Sequence, residues 1–502
     1  MGNIRRARLV SRTFAQLAVQ ESWRTLRAHH HDGDTTASGG QERARAVREA
    51  LEQLGPFYIK VGQILATRSD LVSAPVIAEL QTLHDRACVA PFTEFEPVLA
   101  AELGPRWVKA FRDIDTDTPI GAASLAQVYR ATLTDGTPAA VKIQRPGVAA
   151  TVTADMALLR KAARFAGKRA PRFNAVIDID AMLSVVFDAM RPELDFTLEA
   201  RNMKKGKTTA EDFKHVTVPD ALFAAPRVLI QSLAPGCPIS EADPGAFTLE
   251  ERLGIGRDLL AFMYRGFFTN RYFHADPHPG NIFVHPGHPA HVIDWGMVGR
   301  IDRTLSRGIL LVLICLAQND GEGVATAWTE MGHATPWAQI SAFTDDMAAL
   351  VPQIATGTLE DLNFGITLTA LLQYSTRRGI KTSPMVSVLG KAFANIEGSI
   401  RHLCPELSPI EVFEEELHSI FFALATELSS ETQAARVLLE GMIASTQTGQ
   451  QIRSIIRDLA SRQTSIRTAT TQHDARNHRA LAAAAAALLL WHTTRKNKHR
   501  CL

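Results

Sequence analysis

Phosphoryl transfer is the chemistry that the most informative stretch of this sequence could support. Residues His274–Asn281 read H-A-D-P-H-P-G-N, and Asp294 follows thirteen residues later in Asp294-Trp295-Gly296. Phosphoryl transfer depends on positioning and metal ligands more than on covalent catalysis. Asp276 could face an incoming nucleophile, while Asn281 and Asp294 offer the oxygen ligands that Mg2+ requires. Asp276 and Asn281 alone could simply cap turns, and Asp294 at this spacing favours a nucleotide site instead.

A second signal lies upstream, where a turn of small residues precedes a lysine-bearing strand. The turn is Gly121-Ala122-Ala123-Ser124, and the strand ends in Ala140-Val141-Lys142. Small residues let backbone N–H groups approach phosphate, and a lysine supplies a compact cation for the α and β phosphates. The tripeptide alone is weak, because an exposed lysine on an edge strand would look the same.

A lysine in that position needs a carboxylate partner, and Glu199 is the candidate. Its distance along the chain from Lys142 predicts an insertion of helices over residues 150–190, before the helix that carries Glu199. Glu193 and Asp195 form a further acidic pair, which could also be ordinary surface charge. Gly206-Lys207-Thr208 resembles the end of a phosphate-binding P-loop, but no strand precedes it and no glycine stands at position 201. We therefore predict a loop at a helix end there.

The elements that must position these residues follow from hydrophobic periodicity. Residues 43–111 have a helical period and predict three or four short helices. Beyond Pro119, alternating β-branched segments predict a hairpin over Val128–Leu133 and Ala139–Ile143 around Asp135-Gly136. Further predicted elements are strands at Val228–Ser232, Asn281–Val284 and His291–Ile293, helices after Leu249, and a buried helix over Ile309–Ala317. This order predicts an α+β, two-lobed, nucleotide-binding architecture.

Composition sets broad limits on the class of protein. The 502 residues are 46% hydrophobic and 21% charged, which is typical of a folded globular chain. A net charge of +2 argues against a nucleic-acid partner. The five cysteines contain no C-x-x-C pair, so we expect no disulfide framework or zinc site and a reducing compartment. They are Cys88, Cys237, Cys315, Cys404 and Cys501.

The two ends of the sequence are basic. The first thirty residues predict a basic amphipathic helix, a mitochondrial presequence in a eukaryote being an alternative, and residues 29–41 predict a linker. Residues 480–491 are apolar and are followed by Arg495, Lys496, Lys498 and Arg500. A full membrane span needs about 20 residues, so this segment predicts a shallow anchor at an anionic membrane surface. An alanine-rich helix packed on its own protein is the alternative.

The motif Lys60-Val61-Gly62-Gln63 makes the resemblance specific. Together with the preceding motifs it strongly resembles the UbiB (AarF-type) family of atypical protein-kinase-like proteins. The likeness covers roughly residues 45–300: K-x-G-Q at Lys60–Gln63, the alanine-rich turn at Ala122–Ser124, A-V-K ending at Lys142, E-x-D at Glu193 and Asp195, the helix glutamate Glu199, H-x-D-x-H-P-G-N at His274–Asn281, and Asp294. Trp295 departs from the phenylalanine usual after the metal aspartate. A single short apolar segment stands where close bacterial relatives tend to have two membrane helices.

The resemblance implies a small antiparallel-sheet N-lobe and a helical C-lobe, with an added N-terminal helical extension and a mostly helical C-terminal region. It implies that ATP or ADP binds with Mg2+, with Asp276, Lys142 and Glu199 as catalytic residues and Asn281 and Asp294 as metal ligands. It also implies that the extension folds over the cleft. Lys60 and Gln63 would then contact the acids Glu193 and Asp195 and hinder access by a protein substrate.

The implied function is support of isoprenoid, ubiquinone-type quinone biosynthesis, through ATPase activity or by a kinase acting on lipids or small molecules. The expected location is the cytoplasmic face of a membrane, the bacterial inner membrane or a mitochondrial or plastid membrane. Expected partners are membrane lipids, quinone intermediates and quinone-biosynthesis enzymes. The alternative is a nucleotide-switched, lipid-binding scaffold with negligible phosphotransfer. An aminoglycoside-phosphotransferase type leaves Lys60–Gln63 unexplained, and an ordinary Ser/Thr kinase should carry an A-P-E sequence after Asp294.

Domain boundaries predicted from these patterns are 1–42 for the basic arm and linker, 43–115 for the helical extension, 116–235 for the N-lobe with its insert, 236–400 for the C-lobe, 401–478 for C-terminal helices and 479–502 for the apolar, basic-flanked segment.

Overall fold

The computed structural model describes residues 6, 8–10, 12–13, 36–66, 68, 72–83, 89–169, 179–355 and 363–428. These residues belong almost entirely to one compact unit that ends at Leu424. Most of the predicted basic arm and the apolar segment 480–491 lie outside the described residues.

The N-terminal extension consists of helices α1 (Thr36–Leu54), α2 (Pro56–Leu65), α3 (Ala74–Gln81) and α4 (Glu96–Leu103). Gly55 adopts a φ of 93°, which permits the tight turn between α1 and α2. The predicted helical extension is present, but the predicted linker over residues 29–41 is too long because α1 begins at Thr36. Small polar residues at the start of α1 were interpreted as a loop, whereas the amphipathic segment that follows extends the helix through them.

The N-lobe contains β1 (Phe111–Ile114), β2 (Gly121–Ala122), β3 (Ala126–Leu133) and β4 (Pro138–Gln144), then α5 (Val148–Arg169), α6 (Ile179–Leu194) and α7 (Phe196–Ala210), and finally β6 (Ala221–Ala224) and β7 (Val228–Ser232). Between α7 and β6, the short strand β5 (Val216–Thr217) joins the sheet of the C-lobe instead. The N-lobe sheet has the order β1-β3-β4-β7-β6, β2 pairs with β3, and all pairs are antiparallel. The hairpin, the strand at Val228–Ser232 and the helical insert are confirmed. One face of the sheet, which includes Tyr129 of β3, packs on Phe95 and Trp107.

The C-lobe begins with β8 (Cys237–Pro238) and α8 (Leu249–Arg265), followed by β9 (Tyr272–His274), β10 (Ile282–Val284), β11 (Ala290–Val292) and β12 (Val298–Arg300). The remaining elements are α9 (Arg303–Ala317), α10 (Gly321–Met331), β13 (His333–Ala334), α11 (Ile340–Ala355), α12 (Phe364–Arg377), β14 (Ile380–Lys381), α13 (Met385–Leu403) and α14 (Pro409–Leu428). The predicted buried helix is confirmed as α9, and the α+β, two-lobed, kinase-like architecture is confirmed. No helix within the described ranges is long and apolar enough to cross a membrane.

The segment Gly206-Lys207-Thr208 is helical and lies inside α7, so the loop predicted there is wrong. Gly206 is needed in the helix because the ring of buried Trp295 packs directly against it, and a Cβ at this position would overlap that ring. Trp295 is held in place by its indole N–H, which donates to the Val292 carbonyl at 3.0 Å. The glycine therefore accommodates the tryptophan at position 295.

We expect Gly206→Ala to lower the free energy of unfolding by about 1–3 kcal/mol, because the added methyl group overpacks a rigid buried ring. Trp295→Phe should remove most of that penalty, since phenylalanine leaves room for the methyl group. Urea denaturation of the two single variants and the double variant measures the coupling. Additive effects in the double variant would contradict this packing explanation.

Candidate functional site

Lys142 is the centre of a buried ion cluster that joins the two lobes. Its ammonium donates to both carboxylate oxygens of Glu199 at 3.0 and 2.9 Å and to Oδ1 of Asp294 at 3.2 Å. Lys142 lies on β4, which is flanked by β3 and β7, so the edge-strand interpretation of this lysine is wrong. Glu199 comes from the first turn of α7, and its side chain is only 1% exposed.

The opposite charges of this cluster stabilise one another. Burial alone would lower the pKa of the Lys142 ammonium, but Asp294 and Glu199 outweigh it and raise that pKa well above the usual value. Burial would raise the pKa of Asp294, but Lys142 and Lys60 hold it well below the usual range. Burial raises the pKa of Glu199, so its charged form depends on Lys142. The lysine therefore stays cationic.

Asp294 is presented to the cleft by a tight change of direction after β11. It adopts a φ of 57°, in the left-handed region that few non-glycine residues enter. The backbone beyond it is fixed because Asn202 donates its side-chain amide to the Trp295 carbonyl at 2.9 Å. The Asp294 side chain is 43% exposed on the cavity wall, which leaves it accessible to a ligand.

The loop carrying Asp276 and Asn281 is fastened by its own side chains. Buried His274 contacts the Ile293 carbonyl through Nε2 at 3.0 Å and accepts the Asp276 amide through Nδ1 at 3.2 Å. A neutral ring with its proton on Nε2 satisfies both contacts, and burial lowers the pKa of His274 accordingly. Asn281 donates its amide to the Asp276 carbonyl at 3.1 Å, so the amide oxygen Oδ1 is the atom available to a metal.

The Asp276 carboxylate contacts two residues of α13 that the sequence motifs did not reveal. Its Oδ1 accepts from Lys391 at 2.9 Å and from Asn395 at 2.8 Å. Burial would raise the pKa of Asp276, but Lys391, His278 and Lys60 lower it to about 2. The one signal available was the spacing of Lys391 and Asn395, which stand four residues apart on one helix face and enclose the apolar residues 392–394.

A cavity of about 1160 Å³ brings these groups together. Gly121, Ala122 and Ala123 line it, whereas Ser124 is buried and is not among the lining residues. Apolar groups from both lobes form a slot beside Lys142; they are Val128, Ala140, Leu233, Ala234, Phe283 and Ile293. Leu233 and Ala234 directly follow β7, and short apolar residues after a strand gave no sequence signal for a ligand slot.

The extension contributes Lys60 and Gln63 from α2 to the same cavity. Lys60 Nζ lies 3.5 Å from Glu193 Oε1, and Gln63 donates to the Leu83 carbonyl at 3.1 Å. Asp195 has a different contact, because its Oδ1 accepts from the amide of Thr197 at 3.0 Å and caps α7. The acidic pair is thus divided between an ion pair with the extension and a helix cap.

The donor set fits Mg2+ without a preformed protein cage. Within the described ranges, no group of three or more His, Cys, Asp or Glu residues could hold a metal by itself. Mg2+ commonly takes one or two carboxylates and completes its shell with phosphates and water. Asp294 and Asn281 supply such a partial set. Among the described residues, five carboxylates and three lysines line the cavity; they are Glu193, Glu199, Glu241, Asp276, Asp294, Lys60, Lys142 and Lys391. This excess of acid favours a cation.

Comparisons with known proteins show what this chain is similar to. Family models match at residues 82–328, the ABC1 atypical kinase-like domain, and at 347–408, the UbiB helical domain. The chain is 34% identical over 385 residues to the "Probable protein kinase UbiB" of Azotobacter vinelandii, covering 73% of this chain and 69% of that protein. It is 30% identical over 384 residues to a Clostridium pasteurianum protein described as "Uncharacterized protein in hydrogenase 1 5'region", covering 76% of this chain and 71% of that protein. The solved structure of Mycobacterium tuberculosis Rv3197 with erythromycin is 23% identical, has a TM-score of 0.48, and covers 74% of this chain and 97% of that chain.

We expect Lys142→Met to lower the free energy of unfolding by about 3 kcal/mol, because it leaves Glu199 and Asp294 together without their cation. Glu199→Gln should cost less, since Lys142 keeps Asp294. In Lys142→Met the pKa of buried Glu199 is raised in the folded state, so the folded state takes up protons and the loss should shrink as the pH falls. Urea denaturation at pH 8 and at pH 5.5 measures this. A loss that is independent of pH would contradict the charge explanation.

Proposed function

Because this chain belongs to the ABC1/UbiB family of atypical kinase-like proteins, we propose that it binds Mg-ATP in this cavity and transfers or hydrolyses the γ-phosphoryl group. The observation that carries the proposal is the meeting of Lys142, Glu199 and Asp294 on one side of a cavity that Asp276 and Asn281 line on the other. Phosphoryl transfer needs these positioned charges and little else.

The lining of the cavity supports a defined orientation of the nucleotide. The apolar residues Ala140, Leu233 and Phe283, which come from both lobes, suit the apolar faces of a flat base. The turn Gly121–Ala123 then lies beside the phosphates, and Lys142 offers its ammonium to them. Alanine at positions 122 and 123 lets the backbone of the turn approach the phosphates closely, but it gives the turn less conformational freedom than glycine would.

Mg2+ would be held by Asp294 Oδ and Asn281 Oδ1, and when bound it neutralises the charge that develops on the transferring phosphoryl group. The cavity is already rich in carboxylates, so a metal-free nucleotide would add charge of the same sign. Lys142 keeps its proton throughout because Asp294 and Glu199 raise its pKa. Nucleotide binding should therefore depend on the metal.

Asp276 orients the acceptor hydroxyl or water. Its pKa of about 2 keeps it ionised at neutral pH but makes it a weak base. A base works best when its pKa lies near the operating pH, so Asp276 would contribute mainly by holding the acceptor in line. This favours a slow enzyme, such as an ATPase, in which the acceptor loses its proton late in the reaction.

The covered cavity favours a small or slender acceptor. Lys60 and Gln63 close one side, and apolar residues of the extension and of α12 line the space beyond; they are Ile77, Leu80, Leu83 and Ile366. A protein segment would have to displace α2. We therefore propose water, a small molecule or a lipid headgroup as acceptor, in support of isoprenoid quinone biosynthesis at the cytoplasmic face of a membrane, with quinone-biosynthesis enzymes as partners.

A second candidate is a nucleotide-switched, lipid-binding scaffold with negligible turnover. The specific observation in its favour is the contact between Lys60 and Glu193, which ties the extension across the cavity. If bound nucleotide weakened this contact, the extension would move and change the apolar surface that the protein exposes. No phosphoryl transfer would be needed for this change. Turnover measured alongside binding separates the two candidates.

We expect Mg-ATP at 100 times its Kd to stabilise the parent protein by about 2.7 kcal/mol. Asp294→Asn should lose the magnesium-dependent part of the thermal shift, and Lys142→Met should lose most of the shift. Asp276→Asn should keep the thermal shift and lose turnover. This result would separate the orientation of the acceptor by Asp276 from nucleotide binding. The exposed Asp117→Asn is the matched control and should behave like the parent. An unchanged shift in Lys142→Met would show that the nucleotide does not bind beside β4.

We expect removal of residues 479–502 to abolish co-sedimentation with vesicles of phosphatidylcholine and phosphatidylglycerol. Each basic residue near an anionic surface contributes about 1 kcal/mol, so glutamine at all four of the basic positions 495, 496, 498 and 500 should remove only the preference for phosphatidylglycerol. Pure phosphatidylcholine vesicles provide the comparison. Unchanged sedimentation of the truncated protein would place the anchor elsewhere, for example in the basic N-terminal segment.

A further inference from the structure

Helix α13 brings a lysine from outside the kinase-like domain to the part of the cavity around Asp276. We call this part the acceptor side, because Asp276 would orient the acceptor there. The kinase-like family model ends at residue 328, whereas α13 falls within the UbiB helical model at 347–408. Lys391 and Asn395 are four residues apart and both contact Asp276 Oδ1, at 2.9 and 2.8 Å. One turn further, Ser399 donates to the Pro277 carbonyl at 3.0 Å. One face of α13 therefore follows the loop that carries Asp276 and Asn281, here called the catalytic loop.

The position of α13 is fixed by close packing on two neighbouring helices. A Cβ at Gly365 of α12 would approach the Ala394 nitrogen to 2.5 Å, so the two helices touch through their backbones. On the other side, Arg252 of α8 donates to the Leu403 carbonyl at 3.1 Å. Beyond the helix, Tyr264 donates to the Pro409 carbonyl at 3.0 Å. Groups placed on such a rigid element keep their geometry during a reaction.

Lys391 differs from the other two lysines that line the cavity. Lys142 contacts Glu199 and Asp294, on the side where the nucleotide phosphates would lie, and Lys60 contacts Glu193. Lys391 contacts Asp276, and its side chain is 25% exposed toward the cavity. Within the catalytic loop itself, His278 accepts the Gly280 amide through Nδ1 at 3.0 Å, which turns that nitrogen toward the loop. Among the described residues lining the acceptor side, the cation nearest Asp276 is Lys391.

The two contacts on Oδ1 determine what the rest of the carboxylate can do. Lys391 and Asn395 both occupy Oδ1, and no side-chain donor within the described ranges reaches Oδ2. Oδ2 is therefore free to accept a proton from an acceptor hydroxyl. Lys391 has three ammonium protons and uses one of them on Asp276, so others can reach an oxygen of the γ-phosphoryl group.

We propose that Lys391 is a catalytic residue that donates hydrogen bonds to the γ-phosphoryl oxygens during transfer, a role that rests on the proposed function. The acceptor oxygen, from water or an alcohol, forms the new P–O bond as the bond between the γ-phosphorus and the β–γ bridging oxygen breaks. The acceptor proton passes to Asp276 Oδ2, and ADP leaves with the electron pair of the broken bond. The helical domain thereby completes the active site of the kinase-like domain.

The test compares Mg-ADP with Mg-ADP plus aluminium fluoride, which imitates the phosphoryl group in transfer. The parent should gain a further thermal shift when aluminium fluoride is added. Lys391→Met should keep the Mg-ADP shift, with a Kd within about 2-fold of the parent, and lose the further shift. Its kcat for ATP hydrolysis should fall by about 100-fold or more, the range seen when one transition-state donor is removed. Lys391→Arg should recover part of both.

The exposed Lys109→Met is the matched control and should retain both shifts and the parent kcat. A Lys391→Met variant that keeps the aluminium fluoride shift and the parent kcat overturns the role of Lys391 alone. Loss of the Mg-ADP shift in this variant also overturns it, because Lys391 would then serve binding or folding. A parent protein that responds to neither ligand overturns the proposed function and the role of Lys391 with it.

Discussion

The balance of buried charge around Lys142 is the constraint on which the rest of the structure depends. Glu199 is almost completely buried, and a buried carboxylate is costly unless a cation and hydrogen bonds compensate it. Lys142 provides both because β4, α7 and the turn after β11 meet at one point. That meeting requires the helical insert to bring α7 against the sheet, and it requires the left-handed turn at Asp294. The two lobes are therefore joined by the same cluster that would receive nucleotide phosphates.

The site is composite, and the three lysines found there in the described part of the chain come from three different regions. Lys60 comes from the extension, Lys142 from the N-lobe and Lys391 from the helical region, and each contacts an acid on a different element. The extension and the helical region thus act as walls of the cavity. A cavity enclosed in this way admits small or linear groups more readily than a folded protein surface, which is the physical basis for proposing water, small molecules or lipid headgroups as acceptors.

Several elements were predicted correctly because their signal is local. The hairpin was visible from alternation around Asp135-Gly136, and β7 was predicted with the bounds that the structure shows. Strands of two or three residues such as β5 and β8 were missed, since so short a segment has no measurable alternation. The helical state of Gly206 was missed because the reason for its glycine is the ring of Trp295, which reaches it from a distant loop.

The sequence by itself determined the family, the two-lobed fold and the identity of most charged groups in the cleft. These are carried by motifs whose residue types and order are fixed over short stretches of chain. The pairing of Lys142 with Glu199 was expected as well, but only the tertiary structure decided the other pairings. It divided the two acids expected beside Lys60, so that Glu193 contacts Lys60 while Asp195 caps a helix, and it brought Asn395 to Asp276 across 119 residues of sequence. Pairing depends on how helices pack in three dimensions, and helix packing is specified by shape and burial across the whole core, which no short stretch of sequence contains.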